Sequence, residues 1–240
     1  MTDRIRLDDL AEDTFGLNLR GLKSMATIWL APRRYFSAAE TPDWGGRYTP
    51  SIRLWLSLIA LASLLQFVWI GSNTPLVDAY AEGFRNAGVV PGEGQRYQEL
   101  GEAAALWIYA IAPAMQLAGF LLLLPLFGFW GQPTTYSQRV RNSFAVMIPS
   151  ATVLVAGLPA LSLLSSSQLG NVGYLIGLVT LLLDAATGFR GTFQTCTRLG
   201  RMWRAGLLAA FILVLNIIIN ILAQIAGIIW VSVRFGVSAG

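Results

Sequence analysis

Five runs of about 20 predominantly apolar residues constrain this chain more than any other feature. A helix needs about 20 such residues to cross the ~30 Å hydrocarbon core of a bilayer. The segments outside the runs hold nearly all of the charged residues. The sequence therefore predicts an all-α, polytopic integral membrane protein with five transmembrane helices. The predicted spans are residues 51–71, 103–130, 144–164, 171–189 and 205–233.

The composition agrees with a membrane protein and excludes several kinds of chemistry. Hydrophobic residues make up 55% of the chain and charged residues 12%, whereas soluble proteins carry about 25% charged residues. Because the chain has no histidine and a single cysteine, Cys196, it lacks an imidazole base, a zinc–histidine site and an internal disulfide. Lys23 follows no glycine-rich loop, so a P-loop is excluded as well. We expect no catalysis, no metal and no cofactor.

Basic residues fall mainly on one side of the predicted spans. Of the 17 lysines and arginines, 14 lie before or at the first span, in the second-to-third loop or in the fourth-to-fifth loop. Lysine and arginine near span ends hold a loop on the cytoplasmic side. The distribution predicts a cytoplasmic N-terminal segment at residues 1–50 and a membrane domain at 51–240 whose C-terminus lies outside. The outer loop at residues 72–102 has the signals of a short helix.

The N-terminal segment contains a pattern typical of an amphipathic helix over residues 14–31. Phe15, Leu19, Leu22, Ala26 and Trp29 recur at steps of three or four residues. Such a helix suits the cytoplasmic membrane interface, although its apolar face can instead pack against the protein's own spans, and both can hold together. The residues expected to contact lipid headgroups are Lys23, Trp29, Arg33 and Arg34.

Asp184 interrupts the fourth apolar run and is the sole acidic residue after Glu102. An ionisable group inside a span indicates function by default, because its burial is costly. Counting back from Arg190 at 1.5 Å per residue places Asp184 roughly 9 Å from the cytoplasmic end. One interpretation is a structural ion pair with Arg190, Arg198 or Arg201, and the other is a site for a proton or a cation.

Amide side chains add to this candidate polar site. Asn216, Asn220 and Gln224 follow one another at i, i+4 and i+8, which predicts a stripe facing protein rather than lipid. Gln116 and Gln66 on the second and first spans are expected at similar depth. The amides either join helices to one another or form a hydrophilic path for a substrate.

Two segments carry a resemblance to a known family. They are FGFWGQPTTYSQRVRNSFAVMIPS, from Phe127 to Ser150, and TRLGRMWRAGLLAAF at the entry to the last span. Together with five spans after a cytoplasmic segment, they resemble the Yip family, small membrane proteins whose eukaryotic members interact with Rab GTPases. The stretches LAPRRYF and GGRYTPSIRLWL also resemble the entry to the first span in another bacterial membrane family.

The resemblance implies an integral membrane scaffold, adaptor or accessory subunit that organises a membrane complex or the bilayer. The competing hypothesis is a transporter, channel or lipid-translocating protein that uses Asp184 and the Asn216, Asn220 and Gln224 stripe. The expected partners are lipids, anionic on the cytoplasmic face, and other membrane subunits or a second copy, with no nucleic acid. Since all basic residues but Lys23 are arginine, a bacterial inner membrane is the expected location.

Overall fold

The computed structural model describes residues 19–41, 43–70, 75–92, 94, 96–127, 134–161, 163–164, 166–194, 196–236 and 238–239. These residues form α-helices, one short 3-10 helix at Trp44–Gly46 and two short strands. The α-helices are α1 Leu19–Leu30, α2 Pro32–Ala38, α3 Ser51–Ile70, α4 Pro75–Asn86, α5 Tyr97–Phe127, α6 Tyr136–Leu161, α7 Ser166–Gly191 and α8 Arg198–Phe235. The strands are β1 Val89–Val90 and β2 Ser238–Ala239.

Five of these helices are long and apolar enough to cross a membrane, which confirms the predicted number of spans. They are α3, α5, α6, α7 and α8. The helices extend beyond most of the predicted apolar runs: α8 begins at Arg198 rather than at residue 205. Helical hydrogen bonding needs no lipid, so a helix continues into polar, arginine-bearing turns. Residues 14–18 of the predicted amphipathic helix, residue 71 of the first span and residues 128–130 of the second lie outside the described residues.

The five long helices form a closed ring. Around it, α3 contacts α6, α6 contacts α7, α7 contacts α8, α8 contacts α5, and α5 returns to α3. Helices α1 and α2 pack against α6 and α7 at one end of the ring, which we call the N-terminal end. Helix α4 packs against α5, and β1 pairs antiparallel with β2. These elements mark the far end.

Helices α1 and α2 are fastened to the N-terminal end by buried polar contacts. The Tyr35 hydroxyl donates to the Thr49 carbonyl oxygen at 2.7 Å, and the Thr49 amide donates to Ser24 Oγ at 2.8 Å. Burial raises the pKa of the Tyr35 phenol, which therefore remains a donor. The Phe36 ring lies against Gly191, where a Cβ atom has no room. The N-terminal end of the ring is thus closed by packed side chains.

Two arginines from the membrane helices bind the ends of α1 and α2. Arg190 donates to the carbonyl oxygens of Trp29 at 3.0 Å and Leu30 at 2.9 Å, at the end of α1. Arg141 donates to the Ala39 carbonyl oxygen at 3.2 Å, just after α2. The last carbonyl groups of a helix have no partner within the helix, and a cation interacts favourably with them. These arginines therefore cap α1 and α2 from the membrane helices.

The face of helix α1 that packs against the protein is not the apolar face predicted from the sequence. The buried residues are Gly21, Ser24 and Ile28. The predicted apolar face does not pack against the spans: Leu19, Leu22 and Ala26 are exposed, and Trp29 is half-buried. Gly21 and Ser24 are small and allow close approach of α1 to the protein, and Ile28 packs into its core, so Leu19 and Leu22 remain uncovered.

A proline in α5 explains the position of Tyr136. Pro125 has no amide hydrogen, so it leaves the carbonyl oxygen of Leu121, four residues earlier, without its helical partner. The Tyr136 hydroxyl donates to that same oxygen at 2.7 Å. The hydrogen bond joins the end of α5 to the start of α6 and gives the tyrosine of the TTYSQ motif a structural role.

We expect Tyr136→Phe to lower the free energy of unfolding by up to about 1 kcal/mol, the net contribution of such a hydrogen bond. In a Pro125→Ala background the same substitution should cost close to nothing, because an amide at position 125 then satisfies Leu121 within the helix. Equilibrium unfolding in mixed detergent micelles measures both differences. An equal loss in the two backgrounds would show that Tyr136 acts through other contacts.

Candidate functional site

A small cavity lies inside the ring of long helices and receives side chains from all five of them. Its volume is about 100 Å³. The polar residues that line it are Asp184 and Thr180 of α7, Ser150 of α6, Gln116 of α5 and Asn216 of α8. The apolar part of the lining includes Trp55, Ile59, Phe120, Met147 and Ile212. The sequence-predicted Asp184, Gln116 and Asn216 therefore share one site.

Asp184 is the most unusual residue of this cavity. It is 4% exposed, and its Oδ1 atom has no hydrogen-bond partner among the residues that the structure describes. The Ser150 hydroxyl lies beside the carboxyl group, yet it donates to the Met147 carbonyl oxygen at 2.9 Å. A buried polar atom without a partner is costly and rare. The carboxyl group is thus positioned for a partner that the surrounding side chains do not supply.

The structure contradicts the expected ion pair between Asp184 and a nearby arginine. Within the described residues, Arg190 donates to the end of α1 instead, and Arg201 donates to the Gln194 carbonyl oxygen at 3.4 Å. Arg198 is exposed and makes no such pair either. Residues six positions apart point about 120° away from each other around a helix. Arg190 therefore leaves the bundle on a different side from the one where Asp184 enters it.

The amides of α5 and α8 form a hydrogen-bonded group next to the carboxyl group. Asn216 Oδ1 accepts from Gln116 Nε2 at 3.1 Å and from Asn220 Nδ2 at 3.0 Å. Asn220 also donates to the Asn216 carbonyl oxygen at 2.8 Å. Asn216 is therefore the centre of the group and joins α8 to α5.

Gln224 and Gln66 do not join this group. Gln224 is exposed, because residues spaced at i and i+8 diverge by roughly 80° around a helix. The predicted stripe therefore slants away from the protein interior and reaches the lipid-facing surface. Gln66 lies seven residues beyond Ile59, roughly 10 Å farther along α3. Neither Gln224 nor Gln66 is among the described residues that line the cavity.

We expect Asn216→Leu to lower the free energy of unfolding by about 1 kcal/mol, within the range measured for side-chain hydrogen bonds between membrane helices. It leaves the Gln116 amide without its acceptor, whereas the Asn220 amide keeps the backbone carbonyl oxygen of residue 216. Asn220→Leu removes only bonds within α8 and leaves the bond between α8 and α5 in place, so it should cost less. Gln224→Leu provides the matched control, since its exposed side chain faces lipid. Unfolding titrations in the same detergent rank the three variants, and a cost for Gln224→Leu as large as that for Asn216→Leu would contradict the assignment.

Sequence reasoning missed two hydroxyl groups of the site. Ser150 follows Pro149 directly, and Thr180 lies one turn before Asp184 on α7. The Thr180 hydroxyl donates to the Gly177 carbonyl oxygen at 2.9 Å, just as Ser150 donates to its own helix. Their protons are therefore engaged while oxygen lone pairs remain available. The i+4 spacing of Thr180 and Asp184 was the one signal in the sequence that places a hydroxyl beside the carboxyl group.

The cavity is closed toward the N-terminal end and adjoins a second cavity toward the far end. Residues 143–151 of α6 are all buried. In the other direction, Leu154 and Thr180 also line an apolar cavity of about 240 Å³ between α6 and α7. Several residues farther along these helices are exposed, among them Val153, Tyr174, Leu175 and Leu178. The second cavity therefore lies on the far side of Asp184.

The side chains of the cavity offer few kinds of ligand-binding group. The described residues contain no cluster of three or more histidine, cysteine, aspartate or glutamate side chains that could hold a metal ion. The oxygen atoms available in the cavity belong to one carboxyl group, two hydroxyl groups and two amides.

Comparison of the chain with protein-family models, with curated proteins and with solved structures gave no match.

Proposed function

We propose that this membrane protein binds a proton or a small monovalent cation at Asp184 and moves it between the two sides of the membrane. The observation that carries the proposal is the buried Asp184 carboxyl group. It lines the cavity inside the ring, and its Oδ1 atom has no hydrogen-bond partner among the described residues. Inside a span, ionisable residues with no structural partner are typical of ion pathways and proton relays.

The size of the cavity limits the substrate class. Sites for organic ligands usually measure about 300–1,000 Å³, whereas this cavity measures about 100 Å³. It can accept a few water molecules or a partly dehydrated ion. A metabolite, a nucleotide or a lipid headgroup is too large to enter it.

The charge of the cavity limits the substrate further. Asp184 supplies the sole carboxyl group among its described lining residues, so one positive charge is enough to neutralise it. The remaining oxygen atoms, from Ser150, Thr180, Gln116 and Asn216, are the neutral ligands that hard cations accept. A proton or an alkali-metal ion fits this set better than a divalent cation, which usually binds with more carboxylate oxygen atoms.

The excess of arginine on one side supports an orientation in which the N-terminal end faces the cytoplasm. The closed end of the Asp184 cavity would then be cytoplasmic, and the second cavity would lie on its outer side. In this orientation we expect the ion to approach Asp184 from the outer side. Transport requires a second conformation that opens the cytoplasmic end, where α1 and α2 close the ring.

Ion flux into liposomes tests the proposal directly. The purified protein is reconstituted, and three inward gradients are applied in separate experiments: protons followed by an enclosed pH dye, ²²Na⁺, and ⁸⁶Rb⁺ as a tracer for K⁺. We expect one of the three to enter faster than it enters protein-free liposomes, and the responding gradient identifies the ion. Rates equal to those of protein-free liposomes for all three ions would overturn the proposal.

A second candidate function is the adaptor or scaffold that the Yip-like segments imply. The observation that favours it is the uncovered apolar face of α1, where Leu19 is 86% exposed and Leu22 is 51% exposed. This face, together with exposed Lys23, Arg33 and Arg34, suits attachment to a membrane surface. Crosslinking in native membranes tests it, and recovery of the protein without a stoichiometric partner would count against it.

A further inference from the structure

A groove at the N-terminal end brings together four arginines from three parts of the chain. It lies between the start of α2, the end of α7 and the first turns of α8, and its volume is about 490 Å³. Arg33 and Arg34 come from α2, Arg190 from α7 and Arg201 from α8. No acidic residue is among the described residues that line it. The groove therefore concentrates positive charge at one place.

Within the described residues, no carboxylate neutralises the positive charge of this groove. Arg190 donates to two carbonyl oxygens, and Arg201 donates to one and stacks over the Phe189 ring at 5.6 Å. Arg33 and Arg34 are exposed. None of the four makes an ion pair with a carboxylate in the part of the chain that the structure describes. In addition, Arg201 Nε is buried without a hydrogen-bond acceptor among the described residues.

The chemistry of the groove suits a phosphate group. Guanidinium groups recognise phosphate oxygens through paired, charge-assisted hydrogen bonds. A cluster of like charges raises the local concentration of anions and favours a bound counter-ion. Since the four arginines come from three separate helices, a single phosphate between them would also hold α2 against α7 and α8.

The position of the groove indicates that the phosphate belongs to a lipid. Arg190 lies in the last turn of α7, at the edge of a span. Leu30 lines the groove and is 80% exposed, and Phe189 adds a second apolar side chain. A site that is basic on one side and apolar on the other matches the boundary between the headgroups and the acyl chains. Binding of a soluble phosphate compound does not require the apolar side of the groove formed by Leu30 and Phe189.

We propose that this groove is a binding site for an anionic phospholipid, whose phosphate group is held by Arg33, Arg34, Arg190 and Arg201. The site does not depend on ion transport at Asp184, and the protein's activity is not needed to test it. The predicted headgroup contacts Lys23 and Trp29 do not line this groove, which makes Lys23 useful as a control.

The test compares two double variants that each remove two positive charges from the same end of the protein. Arg33→Gln/Arg34→Gln alters the groove, whereas Lys23→Gln/Arg47→Gln removes exposed charges outside it. Lipid binding is measured by native mass spectrometry of the purified protein titrated with phosphatidylglycerol, with phosphatidylcholine as the neutral comparison. We expect one phosphatidylglycerol to bind preferentially. The groove variant should weaken it by roughly tenfold or more, and the control variant should change it little.

The remaining outcomes are decisive as well. Diffuse attraction to a charged surface predicts an equal loss in both double variants, because each lysine or arginine near the membrane then contributes alike. That result, or equal binding of the two lipids, would overturn the site. Displacement of phosphatidylglycerol by millimolar inorganic phosphate would show a soluble phosphate ligand instead. Thermal unfolding in phosphatidylcholine nanodiscs should be the same for wild type and both variants, and a lower melting temperature for the groove variant alone would show a structural role.

Discussion

Asp184→Asn should abolish ion flux into liposomes while leaving the protein folded. The substitution keeps the shape of the side chain and removes the carboxyl group that accepts a proton or neutralises a cation. Because Asp184 supplies the sole carboxyl group among the described lining of the cavity, no neighbouring side chain can take over its role. We expect the rate to fall to that of protein-free liposomes for the ion that the wild type carries.

The same variant should be as stable as the wild type or more stable, by about 1 kcal/mol. A buried carboxyl group with an oxygen atom that has no hydrogen-bond partner costs free energy, and a neutral amide of the same shape costs less. A residue in a structural ion pair behaves in the opposite way, because its loss leaves an unpaired charge and destabilises the protein. Flux and unfolding measured on one preparation therefore distinguish a functional carboxyl group from a structural one.

Thr187→Val is the matched control for this prediction. Thr187 lies one turn from Asp184 on α7 and is 6% exposed. Its hydroxyl donates to the Leu183 carbonyl oxygen at 2.7 Å, and it does not line the cavity. The substitution alters a buried polar group of the same helix without touching the proposed site, so flux should persist. If Thr187→Val lost flux as completely as Asp184→Asn, or if Asp184→Asn retained it, the proposed role of the carboxyl group would be wrong.

The five spans were predictable because length and hydropathy are local properties of the chain. The unusual position of Asp184 was predictable for the same reason, since an acidic residue inside an apolar run is visible without a structure. Its lack of an arginine partner was not predictable. That outcome depends on the rotation of α7 and on the end of α1, where Arg190 finds its acceptors 160 residues away in sequence.

The sequence predicted a residue of the site correctly only where helix packing turns the residues of the spaced pattern toward the protein interior. Asn216 lies on the buried side of α8 and reaches Gln116 on α5, as an interhelical contact between amides would require. Gln224 shares the i+4 spacing but lies on the exposed surface, because small angular offsets accumulate along a helix. Only part of the groove could be predicted from the sequence. Arg33 and Arg34 are adjacent residues, whereas Arg190 and Arg201 reach the groove only through folding.

Gly101→Ala should give the largest loss of stability among the substitutions considered for the helix contacts, about 1–2 kcal/mol. Gly101 lies in α5 where α4 crosses it. A Cβ atom at this position would lie 2.6 Å from the Val77 carbonyl oxygen and 2.9 Å from the Ala81 amide nitrogen. Both are backbone atoms, so no side-chain rotation can relieve the clash, and α4 must move away from α5.

Gly83→Ala, on α4, should raise the stability of the protein, whereas Gly101→Ala should lower it. A Cβ atom at Gly83 meets nothing within 4 Å, so the substitution keeps the contact between α4 and α5 unchanged. It removes the conformational freedom of a glycine inside a helix, which stabilises by up to about 1 kcal/mol. The two variants make the same chemical change in the same helix pair, and unfolding titrations of both separate helix propensity from steric fit.

Hydrogen exchange locates the effect of Gly101→Ala within the fold. Since the clash involves Val77 and Ala81, the amides of α4 should exchange faster in this variant, while those of α1 and α2 at the other end of the ring keep the wild-type rate. Faster exchange throughout the ring would mean that α4 contributes to the stability of all five spans rather than covering the far end. Unchanged exchange in α4, together with unchanged stability, would show that the backbones of α4 and α5 are farther apart than the structure places them.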